Sequence, residues 1–132
     1  MTTGEIVEQS KEYIKKNIER SLTVAEIAGA VGYSEYYFSR LFKNETRTSV
    51  MEYVKREKLQ RASVEIRSGK KIMDAALKYG WESHNGFTKA FKKEFGYCPA
   101  LLRAMVISMQ RLGGKSMGRT VNVRQRSNYL RF

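Results

Sequence analysis

One cysteine, one proline, one histidine and no acidic residue after Glu94 are the scarcities of this 132-residue chain, and each excludes something. Cys98 has no internal partner for a disulfide and, beside Pro99, stands in no Cys/His cluster, which fits a reducing compartment and argues against a zinc site. His84 has no cysteine or second histidine with which to make a metal site and no serine-carboxylate arrangement to make a triad, so neither catalysis nor a cofactor is expected. No run of 18 apolar residues occurs, and the start (Met1-Thr2-Thr3-Gly4-Glu5) lacks a basic segment followed by an apolar one. Neither a membrane span nor a signal peptide is therefore expected, and the location should be cytoplasmic.

What is abundant is positive charge. Against 13 acids stand 25 Lys and Arg, a net +12 with a pI near 10, which points to a polyanionic partner such as nucleic acid or an acidic membrane surface. Beyond Phe95 the charged side chains are all basic, namely Arg103, Arg111, Lys115, Arg119, Arg124, Arg126 and Arg131. The tail has few large apolar residues to insert into a bilayer, so no membrane partner is expected.

The chain also repeats itself. Gly32-Tyr33 with Phe38-Ser39-Arg40-Leu41-Phe42-Lys43 returns as Gly80-Trp81 with Phe87-Thr88-Lys89-Ala90-Phe91-Lys92, and one extra residue enters the second copy between the two blocks. That residue falls in a turn region, where length changes are best tolerated. Thr2-x-x-Glu5 has the form of a capping box and opens a first helix expected over Gly4 to Arg20; Thr23-x-x-Glu26 opens a short second one that stops at Gly32. Ser34 can cap a third helix, with Tyr37, Phe38, Leu41 and Phe42 turned toward the core. Ser49-x-x-Glu52 begins a fourth, through Val54, Leu59, Ala62 and Ile66 to about Arg67, whose eighteen or so residues at about 1.5 Å each can hold two units about 27 Å apart. Ile72–Tyr79, then Ser83 or His84 to Phe95, form the second copy, its short helix starting without a side-chain cap at Lys71. Pro99 suits the first turn of a seventh helix reaching about Gln110, and Thr120–Arg124 alternates like a short strand.

Helix, glycine-bearing turn, helix is the helix-turn-helix pattern, here twice, and the expectation is an all-α fold of about seven helices. Its parts are a first subdomain at 1–47, a linker helix at 48–68, a second subdomain at 69–106 and a basic tail at 107–132. A helix about 10–12 Å across fits the major groove, about 12 Å wide, so the outer helices are the candidates for reading double-stranded DNA. On the first lie Ser34, Tyr36, Ser39, Arg40 and Lys43, and on the second His84, Asn85, Gly86, Thr88, Lys89 and Lys92. Arg40 can donate two bonds to guanine O6 and N7, whereas Lys89, at the matching position, is a point charge without the fork. Tyr36 lies on the outside; Tyr37 reads as core or rim; Phe38, Phe42, Phe87, Phe91, Tyr33 and Trp81 read as core.

These same blocks, from Ile27-Ala28 through Phe42-Lys43 and from Ile72 through Gly96 and Pro99, resemble the AraC/XylS family of bacterial transcription regulators. The layout is similar to its short MarA/SoxS/Rob-like members. The resemblance implies two helix-turn-helix units on a long helix, a nucleoid-associated activator working as a monomer on DNA, and contact with RNA polymerase. It carries the DNA-contacting positions onto Tyr36, Ser39 and Arg40, and onto His84, Asn85, Gly86, Thr88 and Lys89. The chain departs from the family pattern at Arg47 and Ser49-Val50, where glycine and Ser-Pro are usual, at Cys98 for a serine and at Leu102 for a tyrosine. For the tail three roles stay open: nonspecific DNA binding, packing on the module, or the remnant of a downstream effector domain.

Overall fold

A computed structural model of the chain describes residues 1–112, and the alternating segment at Thr120–Arg124 lies outside them. Among the described residues seven helices follow one another: α1 (Thr3–Lys16), α2 (Val24–Ala30), α3 (Glu35–Thr46), α4 (Val50–Arg67), α5 (Ile72–Lys78), α6 (His84–Phe95) and α7 (Pro99–Leu112). None of the described helices is long and apolar enough to cross a membrane. The chain divides into two compact units at Gln60/Arg61, inside α4, so the first turns of that helix belong to one unit and the last to the other.

The repeat is visible in hydrogen bonds. α2 and α5 are each seven residues long, α3 and α6 each twelve, and the extra residue of the second copy lies in the turn between its two helices. Both short helices end in the same way. Gly32 (φ 84°) and Gly80 (φ 100°) take the left-handed conformation, and the next aromatic residue donates back: Tyr33 N–H to the Ala28 carbonyl at 3.0 Å, Trp81 N–H to Ala76 at 2.9 Å. The glycines donate to Gly29 and Leu77, both at 3.1 Å, which completes a Schellman motif in each copy. Serine then caps each outer helix, Ser34 Oγ accepting from Tyr37 N–H (3.2 Å) and Ser83 Oγ from Gly86 N–H (3.0 Å). Lys71, as its sequence suggests, makes no side-chain cap for α5.

In the first unit Ile6, Val7, Ile14, Ile18, Leu22, Ile27, Phe38, Leu41, Phe42, Val50 and Val54 form the core. In the second, Ala62, Ile66, Ala75, Ala76, Phe87, Phe91, Phe95, Leu102 and Val106 do so. Each unit ties its short helix with a tyrosine, a carboxylate and a cation. Tyr13 donates to Glu26 at 2.7 Å and Arg20 pairs with the same oxygen; those hydrogen bonds, Arg20's first, hold the Glu26 carboxyl down at about 2. In the second unit Tyr79 and Lys78 (3.0 Å) converge on Glu65, whose pKa is likewise lowered, chiefly by the Tyr79 hydroxyl.

Two helix ends differ from the sequence reading by two residues or more. α1 stops at Lys16 rather than Arg20, because the Asn17 side-chain amide takes the Tyr13 carbonyl (2.8 Å) and the Asn17 backbone N–H turns to Ile14 (3.1 Å). Ile18 still reaches the core from the following turn. α7 continues two residues past Gln110, so the stretch assigned to the tail from 107 begins as helix. At the corner after α3, Arg47 adopts the left-handed conformation (φ 65°), where its counterpart in the second copy is Gly96 (φ 85°), each donating its N–H four residues back at 2.8 Å. Thr46 braces that corner, its hydroxyl donating to the Phe42 carbonyl (2.8 Å) and accepting from Thr48 N–H (3.2 Å). Ser49 caps α4 through Glu52 N–H (3.2 Å) without the usual proline.

A non-glycine residue in that region costs roughly 1–2 kcal/mol, partly offset by glycine's greater unfolded-state entropy. Arg47→Gly is therefore expected to raise stability by about 0.5–1 kcal/mol in urea denaturation. Unchanged or lowered stability would mean that the arginine side chain's contacts offset its backbone strain.

Candidate nucleic-acid interface

Each outer helix has one covered and one open face, and the aromatic spacing decides which is which. In α3, Phe38, Leu41 and Phe42 are buried at intervals of three and four. That turns Ser34, Tyr36, Arg40, Lys43 and Asn44 to the outside, with Ser39 half-buried at the edge. Tyr36 is 71% exposed. In α6, Phe87, Ala90, Phe91 and Phe95 are covered, leaving His84, Asn85, Lys89, Lys92 and Lys93 exposed and Gly86 and Thr88 half-buried. The residues singled out from sequence thus fall on the open face or rim of their helix in both units.

Three aromatic positions depart from expectation. Tyr37, which reads from sequence as core or rim, is 50% exposed, its ring leaning on Tyr33 with centroids 5.3 Å apart. The reason is its place in the first turn, past the end of the stripe that Phe38 and Phe42 bury. Tyr33 and Trp81 are themselves only half-buried, lids at the rim rather than core, with Trp81 edge-on to Phe87 at 5.3 Å.

The two helices differ in chemistry. On α3 the Arg40 Nη1 donates to the Tyr36 hydroxyl at 2.6 Å, and the guanidinium carbon lies 5.4 Å from the Tyr36 ring centre. Beside them runs an open groove of about 490 Å³ lined by Thr3, Tyr36, Tyr37, Arg40, Leu41, Asn44 and Glu45. Its far wall comes from the start of α1, where the Thr3 hydroxyl donates to Glu45 at 2.8 Å. Nothing local in the sequence signals that contact between residues 42 apart. On α6 the corresponding pair is Asn85 and Lys89, and the polar contact there is between the His84 ring and the Thr88 hydroxyl at 3.5 Å.

Charge follows the same division. Between its ends α3 balances Arg40 and Lys43 with Glu35 and Glu45, whereas α6 sets Lys89, Lys92 and Lys93 against Glu94 alone and carries no acid in its first turn. The excess lies toward the C-terminal end of α6. Among the described residues no group of three or more His, Cys, Asp and Glu is gathered closely enough to hold a metal ion.

Comparison with known proteins places this architecture. The model of a helix-turn-helix domain family matches residues 27–105. The chain is 38% identical over 92 residues to the TetD protein of transposon Tn10 from Escherichia coli, covering 69% of this chain and 67% of that protein. It is 31% identical over 101 residues to the regulatory protein SoxS of Salmonella typhimurium, covering 76% and 94%. It is also 33% identical over 92 residues to the right origin-binding protein of Escherichia coli, but spans only 32% of that longer protein's length. Among solved structures, a transcriptional regulator from Chromobacterium violaceum with an AraC-type DNA-binding domain superposes with a TM-score of 0.75 at 27% identity, over 79% of this chain and 94% of that one. With the family match extending over more than half its length and the fold shared, the chain belongs to the AraC/XylS family of DNA-binding transcription regulators.

Proposed function

We propose that this protein is a sequence-specific transcription activator that enters two successive major-groove segments of one duplex, about 34 Å apart, with α3 and α6. It works as a monomer on its site in the cytoplasm, engages RNA polymerase, and has no catalytic role. The observation that supports this reading most is the duplicated, serine-capped twelve-residue helix, with its aromatic face buried and a polar, cation-bearing face left open. Ser34, Tyr36, Ser39, Arg40 and Lys43 are the contacts of the first helix. His84, Asn85, Gly86, Thr88, Lys89 and Lys92 are those of the second. The first reads bases through Arg40; the second, richer in lysine, holds phosphates more than it reads.

Selection of bound duplexes from a random pool tests this directly. Two conserved blocks about one helical turn apart are expected. A pool without enriched blocks would favour a nonspecific basic architectural protein instead. Liposome cosedimentation is expected to be negative.

Two substitutions separate reading from holding. Arg40→Ala is expected to lose discrimination at one base pair of one block, by the roughly 1–3 kcal/mol that a bidentate guanine contact provides. Lys92→Ala should weaken specific and random duplexes alike and lower the salt slope by about one. Equal losses on specific and random DNA for Arg40→Ala would remove it from the base-reading residues.

A further inference from the structure

Arg40 is exposed, long and, among the described residues, in no ion pair with a carboxylate, so by itself its guanidinium would sample many rotamers. It is nevertheless held. Tyr36, one turn earlier on the same face of α3, accepts from Nη1 at 2.6 Å while its ring lies beside the guanidinium at 5.4 Å. This bond uses one of five N–H groups and leaves the Nε and Nη2 edge as a fork for a pair of acceptors. Resting on the reading of Arg40 as a base reader, we infer that Tyr36 is a positioning residue: its hydroxyl fixes the Arg40 fork before DNA arrives, and so sets the preference at the base pair Arg40 contacts.

The second unit lacks the device. Position 85 is asparagine and position 89 lysine, with neither an aromatic ring nor a planar fork. Prepositioning is therefore confined to the helix that carries the arginine, and the two readers differ in how sharply they discriminate.

The test is a double-substitution cycle on the selected duplex, its single base-pair variants and a random duplex. Tyr36→Phe keeps the ring and removes only the acceptor, and at a site 71% exposed it leaves the core intact, which an unchanged thermal midpoint checks. Preference is expected to fall at the same base pair that Arg40→Ala affects, by about 2–10-fold, the factor for ordering one rotamer-rich side chain at an interface. In the Arg40→Ala background, Tyr36→Phe should have no further effect at that base pair. Full preference in Tyr36→Phe, a loss at a different base pair, or a loss that simply adds to that of Arg40→Ala would each overturn the inference while leaving Arg40 as a reader. If Arg40→Ala itself spares every base-pair preference, both the reading and this inference fall.

Discussion

Raising monovalent salt from 50 to 200 mM is expected to weaken binding to the selected duplex by about 10³–10⁵-fold, the loss that goes with about 6–10 phosphate contacts. Each neutralised phosphate releases counterions condensed on the duplex, so log affinity should fall against log salt with a slope of about −0.9 per contact. The chain has the charge for this. Its net +12 includes a surplus on α6, where Lys89, Lys92 and Lys93 lie exposed against one glutamate. Random duplex should show a similar slope at lower affinity, because the phosphate term carries no sequence information. A fluorescence anisotropy titration at four salt concentrations measures both. A loss below about 50-fold, which about three contacts would give, would mean that the charge lies away from the duplex.

Phe91→Ala is expected to cost about 3–5 kcal/mol of stability, the usual range for truncating a fully buried aromatic side chain. Phe91 is 0% exposed and sits among three other rings, with centroids at 5.6 Å from Phe87, 4.5 Å from Phe95 and 5.9 Å from Tyr97. Each such pair adds about 0.5–1.5 kcal/mol beyond the area it buries. Small domains have only about 5–15 kcal/mol in total, so this loss would take a large share of the second unit's stability. Phe91→Leu, which leaves a smaller cavity, should cost less. Urea denaturation followed by circular dichroism measures the difference, and a loss under about 1 kcal/mol would show that the aromatic cluster is not the support of α6.

Much of this was legible without coordinates because the signals are local. The capping box at Thr2 and Glu5, the serine caps at Ser34, Ser49 and Ser83, and the glycine stops at Gly32 and Gly80 act over three to five residues. The buried stripe of α4, Val54, Leu59, Ala62 and Ile66, followed from spacing alone, and all four are at most 2% exposed. The open faces of α3 and α6 followed in turn from where the phenylalanines had to go. The end of α1 did not, since apolar spacing continues to Ile18 and only the Asn17 amide interrupts it.

By itself, then, the sequence determined the number of helices, their caps, the duplication and the polar faces that carry the candidate contacts, because periodicity and capping depend on neighbours within about one turn. Tertiary structure decided that Tyr37 stays half open, that Arg47 takes a glycine's conformation and that Thr3 closes on Glu45. Those outcomes depend on what stands opposite each side chain and on which rotamer its surroundings leave open. Spacing along one strip of sequence does not carry that information.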